Sequence, residues 1–272
     1  MPAVPSGAVT PLQKTAVAPG LRVVLLGASN LKIGFPQVLS RLRGGAAGPV
    51  EVLAALGHGR SYGSWSRFAW VRALPGIVHC GLWDELERRP DLPTLALLTD
   101  AGNDILYGFP VPKIAEWIAA CLERLASRRA ETIVALLPLA TLETISPIRY
   151  HLIRQILFPG RRAAPWSAVL ESARELNERL RGLALEHGAR LVEPSPSWYG
   201  FDPIHVRRRM RSKAWSQVLE HPWLAREGEM TGGARLPRLP IVGSAELRLG
   251  GITLRTPQPV CRLKDGSTVA LY

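Results

Sequence analysis

The chain has 272 residues, 47% of them hydrophobic, with a mean hydropathy of +0.07 and a formal net charge of +12. That length allows one full domain with an appendage, and the composition is that of a globular chain rather than a membrane-embedded or disordered one. No apolar run approaches the roughly 20 residues needed to cross a bilayer, and the positive charge permits attraction to nucleic acid, anionic lipid or acidic substrates without selecting one.

Residues 1–20 hold small residues, prolines and one lysine without a continuous apolar block, and read as a loose arm rather than a secretion signal. RVVLLGASN (22–30) is an unbroken apolar run ending in Gly27 and Ser29, which predicts a strand buried on both faces. Phe35, Val38, Leu39 and Leu42 then recur at helical spacing until Gly44 and Gly45 stop the helix. A second strand over 50–56 leads into GHGRSYG (57–63). Residues 64–74 and 81–88 are expected to be short helices, and TLALLTD (94–100) a third strand that runs into AGND. A long amphipathic helix is predicted over 111–129, a strand over 131–138, a short helix across 147–157, a second long helix over 168–187 and a short strand at 190–194. A loop containing DPIH then enters a strongly basic helix.

Strands alternating with helices predict an α/β fold, a doubly wound, mainly parallel five-stranded sheet with flanking helices in a flavodoxin-like three-layer sandwich. The main domain is expected over 21–222. Beyond Pro222, a proline- and glycine-rich linker (228–240) precedes segments that alternate apolar and polar residues around GG and DG. Residues 223–272 therefore read as linker and small antiparallel β appendage. Such a piece is marginal alone, so it is expected to cover a sheet edge or to form a homodimer contact. Cys80, Cys121 and Cys261 are widely spaced and lack a CxxC pair, so neither a disulfide framework nor a metal site is expected. They read as thiols of a cytoplasmic protein.

Four segments converge on the carboxyl edge of the predicted sheet: GASN (27–30), GHGRSYG (57–63), AGND (101–104) and DPIH (202–205). Acyl transfer needs a nucleophile, a base, a carboxylate to orient the base, and N–H donors for a developing oxyanion. Ser29 stands where a hydroxyl could be the nucleophile, and the three-residue spacing of Asp202 and His205 lets the carboxylate reach the imidazole. In this order and placing the blocks resemble those of the SGNH (GDSL-type) hydrolases, over about residues 22–220. Two differences stand out: GAS where the family writes GDS, and AGND where it writes GxND.

The resemblance implies an esterase or other acyl hydrolase with Ser29 as nucleophile, His205 as base and Asp202 as its partner. It also implies an oxyanion hole made by the Asn103 side chain and by backbone N–H groups of Ser29 and a second-block glycine. Gly59 fits that glycine best by its distance past the strand, with Gly57 and Gly63 open. Asp104 is expected to support the loop through backbone N–H groups. His58, flanked by glycines, is a candidate substrate contact, set against a structural or merely exposed histidine. No cofactor is implied, and the expected substrate is a small-molecule, lipid or carbohydrate ester. Two other readings compete. One is a Rossmann-type dinucleotide site using Gly27 and Gly34, which wants an acid at the end of the second strand, whereas Glu51 is at its start. The other is a noncatalytic basic module for nucleic acid or an anionic membrane using the run 207–213, which lacks any recognisable RNA or DNA motif.

Overall fold

β1 (Leu21–Leu26) is buried along its whole length and has a parallel partner on either side, β2 (Val50–Ala55) and a strand at Thr94–Leu98. The computed structural model describes residues 19–68, 72–157, 164–225 and 243–272. Most of the expected N-terminal arm and all of the expected 228–240 linker lie outside those residues. In chain order the remaining strands are β3 (Ser66–Phe68), β4 (Arg72–Leu74), β5 (Thr94–Leu98), β6 (Glu131–Ala135), β7 (Arg190–Val192), β8 (Glu246–Leu249), β9 (Ile252–Arg255), β10 (Cys261–Arg262) and β11 (Thr268–Leu271). The helices are α1 (Ser29–Gly45), α2 (Leu82–Arg88), α3 (Asn103–Leu106), α4 (Val111–Ser127), α5 (Leu139–Leu142), α6 (Pro147–Leu157), α7 (Trp166–Glu186) and α8 (Arg211–Val218).

The main sheet has the order β10-β11-β2-β1-β5-β6-β7 and is parallel except for β10. Its central strands are continuous apolar runs because helices cover both faces. Val23 and Leu25 pack with α1 and α8, while Val24 and Leu26 face the opposite layer with α2, α4 and α7. At the amino end of the sheet Arg22 and Glu51, register partners on β1 and β2, are buried and paired at 2.5 Å. The acid in β2 is thus committed to an ion pair at the edge remote from the carboxyl ends. Gly34, the other glycine of the dinucleotide reading, lies where any Cβ would fall 1.8 Å from Nε1 of Trp215, so it lets α1 and α8 approach closely.

The doubly wound parallel sheet is the one expected, and the five predicted strands are β1, β2, β5, β6 and β7. The observed sheet is wider by two strands, because β11 runs parallel to β2 from Thr268 to Leu271 and β10 pairs antiparallel with β11. Val269, Ala270 and Leu271 are buried there. The appendage therefore supplies a strand of the main sheet and covers its β2 edge.

Residues expected to be a helix over 64–74 instead give β3 and β4, which form a second, antiparallel sheet with the C-terminal hairpin in the order β3-β4-β8-β9. The strands win because β8, more than 170 residues downstream, supplies backbone partners that no local window reveals. Gly250 and Gly251, both at positive φ, close the β8–β9 hairpin.

Candidate active site

The sheet order reverses at β1, with β2 to one side and β5 to the other, so the carboxyl ends of β1 and β5 flank a crevice. Ser29 opens α1 directly after β1, and the segment 99–103 follows β5 into α3. The loop 202–206 approaches the same crevice from the amino side of α8. His205 Nε2 lies 2.9 Å from Ser29 Oγ, and His205 Nδ1 lies 2.6 Å from Asp202 Oδ2. The other Asp202 oxygen accepts the backbone N–H groups of Ile204 and His205 at 3.0 and 3.1 Å, fixing the turn that aims the imidazole. Residues 29, 202 and 205 are thereby joined in one hydrogen-bonded chain.

Electrostatics follow from these contacts. Burial acts to lower the His205 pKa, but the hydrogen bond and charge of Asp202, with a smaller contribution from Asp100, outweigh it and hold the value above that of an ordinary imidazole. Burial acts to raise the Asp202 pKa, and the bond and charge of His205 with the two N–H groups hold it below the ordinary carboxylate value. The pair is suited to an imidazole that gains a proton during a reaction and keeps an ionised partner.

The loop after β2 faces Ser29 across the crevice. Gly59, at φ +60, lines the cavity with Ser29, His58 and Asn103. Gly57 and Gly63 are instead backed by Leu74 and by the ring of Trp117. Of the three candidate glycines, Gly59 is the one that lines the cavity with Ser29, and its left-handed backbone makes glycine the natural residue. Asn103, the first residue of α3, donates from Nδ2 to the carbonyl of Arg60 at a long 3.4 Å. Asp104 is fully buried and accepts the Tyr62 N–H at 2.8 Å, tying α3 to the same loop. Burial raises its pKa to about 6 against the opposing bonds from Ser61 and the Tyr62 N–H. Tyr107 donates its hydroxyl to the Gly59 carbonyl.

Two residues of the site were missed from sequence. Asp100, at φ 62, accepts the N–H groups of Ala28 and Leu31 at 2.9 and 3.1 Å and so caps the start of α1 with a carboxylate. Asn30 donates to Asp100 at 2.9 Å and to the Ile204 carbonyl at 2.7 Å, and accepts the Val206 N–H at 2.9 Å. It thus links the serine turn to the histidine loop. The available signals were an acid at the very end of a buried strand and an amide next to the candidate nucleophile.

Ser29, Asn103 and His205 open into a cavity of about 650 Å³, much of whose remaining wall is apolar side chains of α5, α6 and α7, among them Leu142, Ile153, Trp166 and Val169. Among the described residues no cluster of histidine, cysteine, aspartate or glutamate could hold a metal ion, and no helix is long and apolar enough to cross a membrane.

Many solved structures similar in fold to this chain are esterases or members of the lipolytic G-D-S-L family. A member of the lipolytic G-D-S-L family from Veillonella parvula is 14% identical, with a TM-score of 0.48 over 73% of this chain and 98% of its own. An acetyl xylan esterase is 16% identical, with a TM-score of 0.47 over 73% of this chain and 100% of its own. The psychrotrophic esterase EstA from Pseudoalteromonas sp. is 14% identical, with a TM-score of 0.42 over 72% of this chain and 95% of its own. No protein-family model and no curated protein matches the chain.

Proposed function

We propose that the protein is a serine hydrolase of SGNH type that cleaves a carboxylic ester or thioester through an acyl-enzyme. The observation that carries this reading is the hydrogen-bonded series Ser29, His205, Asp202 at the mouth of a largely apolar cavity. Ser29 Oγ attacks the ester carbonyl carbon while His205 Nε2 takes the hydroxyl proton. The imidazolium is stabilised by the Asp202 carboxylate, whose bond to Nδ1 also sets the tautomer that leaves Nε2 free to accept.

Negative charge on the carbonyl oxygen is received by the backbone N–H groups of Ser29 and Gly59 and by Asn103 Nδ2. The long bond from Asn103 to the Arg60 carbonyl is weak enough to be exchanged for one to an oxyanion. As the tetrahedral intermediate collapses, the carbon–oxygen or carbon–sulfur bond breaks and His205 gives its proton to the leaving group. In the second half His205 takes a proton from water, the hydroxide attacks the acyl carbon, and the carboxylic acid leaves as Ser29 regains its proton. No step calls on a metal or a cofactor.

The test is a panel of p-nitrophenyl esters of increasing acyl length, assayed with the wild type, Ser29→Ala and His205→Ala. Each variant should lose roughly 10³-fold or more in kcat, since members of such a unit fail together. Turnover by Ser29→Ala at the wild-type rate contradicts the proposal.

A further inference from the structure

Asp202 fixes the His205 ring within one loop, through Nδ1 and through the N–H groups of Ile204 and His205. None of these bonds reaches Ser29, which lies 176 positions away in the chain. Among the described residues, two hydrogen bonds besides the one between Ser29 and His205 join 202–206 to the turn between β1 and α1, and Asn30 makes both. Its Nδ2 donates to the Ile204 carbonyl at 2.7 Å and its Oδ1 accepts the Val206 N–H at 2.9 Å, so the amide grips the loop on either side of His205.

The amide has one orientation. Nδ2 meets two acceptors, the Ile204 carbonyl and Asp100 Oδ1 at 2.9 Å, while Oδ1 meets a donor; turning it over sets like against like at all three contacts. Both Nδ2 hydrogens are committed, so Asn30 borders the cavity with no donor left for a substrate. Asp100 does for the nucleophile what Asn30 does for the base. Its Oδ2 accepts the N–H groups of Ala28 and Leu31, which flank Ser29, while its Oδ1 takes the Asn30 amide. These bonds hold Asp100 at φ 62, a backbone conformation that residues with a side chain rarely adopt and that recurs at functional sites.

We propose that Asp100 and Asn30 are positioning residues that clamp Ser29 to His205, Asp100 holding the serine turn and Asn30 carrying that hold to both flanks of the histidine. This rests on the hydrolase reading and adds to its reacting residues two that touch no reacting atom. Without Asn30, the hydrogen bond left between turn and loop is that of Ser29 to His205, which rearranges each time the proton moves.

The experiment measures kcat and KM on p-nitrophenyl butyrate for the wild type, Ser29→Ala, Asn30→Ala, Asn30→Asp, His205→Ala and the double variant Asn30→Ala/His205→Ala, with folding checked by circular dichroism and size exclusion. Asn30→Ala should lose roughly 10²-fold in kcat with KM changed by less than about threefold, the effect of moving a base by about 1 Å. Asn30→Asp keeps the size and the acceptor for Val206 but lacks both donors, and should lose roughly tenfold or more. In the His205→Ala background no base is left to position, so removing Asn30 should lower the residual rate by less than about twofold. A role confined to the fold would instead cost the same factor in both backgrounds. That equal loss, a kcat within about threefold of wild type in both Asn30 variants, or failure of both to fold, overturns the inference and leaves the hydrolase reading standing. Turnover that is absent from the wild type, or undiminished in Ser29→Ala, removes both.

Discussion

Arg60→Met tests whether the loop after β2 is held in place by a buried cation. Arg60 has 0% exposure and no aspartate or glutamate partner among the described residues. Its guanidinium donates to the main-chain oxygens of Pro75 at 3.1 Å, Leu56 at 3.4 Å and Tyr272. One side chain thus ties the end of β2, the segment after β4 and the residue after β11 to the loop that presents Gly59. The Arg60 carbonyl in turn is the acceptor for Asn103. Hydrogen bonds from a charged donor are worth about 1.5–3 kcal/mol each, and the cost of burying the guanidinium, several kcal/mol, offsets most of their sum.

Methionine fills similar space without the charge and leaves those main-chain oxygens short of a donor, so the net loss should be about 2–4 kcal/mol. A displacement of the Gly59 loop by about 1 Å is enough to lower kcat by roughly 10²-fold. The assay is urea unfolding followed by fluorescence and circular dichroism, with kcat and KM on a soluble ester. Stability within about 1 kcal/mol of wild type together with unchanged kcat would refute the reasoning.

Further outcomes are expected. Asn103→Ala should fold normally and lose about 10²-fold in kcat with little change in KM, the cost of one oxyanion donor; full activity contradicts its role. Because His205 must be neutral to act and its pKa is held above the ordinary value, the acid limb of kcat/KM should lie above pH 6.5. Asp202→Asn should move that limb downward while lowering the maximal rate by roughly 10³- to 10⁴-fold, and a limb that stays put removes Asp202 as the cause. The same raised pKa means that the His205–Asp202 pair stabilises the fold below the ordinary histidine pKa and that this contribution is lost as pH rises through the raised value. Asp104, with its pKa raised to about 6, has the opposite sign from a paired carboxylate. Its folded form holds a proton that the unfolded form has released, so stability should fall by about 3 kcal/mol as pH rises from 3.8 to 6. In Asp104→Asn that slope should flatten in urea titrations, and an unchanged slope assigns it to other groups.

The core strands were legible because burial on both faces leaves a mark in every residue of a run such as RVVLL or TLALL. The blocks around Ser29, Asn103, Asp202 and His205 were legible for a related reason: each follows a strand or turn whose local chemistry is explicit. Residues 66–74 were not, because their strand character comes from pairing with 246–249. The place of β11 was equally hidden, since VALY alternates too little to say which edge it joins. Asp100 and Asn30 act through partners 69 to 176 residues away, and Arg60 through the main chain of Tyr272. Their types carry no signal until the chain is folded. Distance past the strand favoured Gly59 over Gly57 and Gly63 but left both open, and of the three only Gly59 lines the cavity.

The central claim is that Ser29 forms a covalent bond to the reacting carbon. A p-nitrophenyl alkylphosphonate, which places a tetrahedral phosphorus where the carbonyl carbon would be, should react once per chain, releasing one p-nitrophenolate. The adduct should map to the peptide containing Ser29 by mass spectrometry, and labelling should slow by orders of magnitude in His205→Ala and vanish in Ser29→Ala. Stoichiometric labelling of another residue, with Ser29→Ala still inactivated at the wild-type rate, would contradict the account.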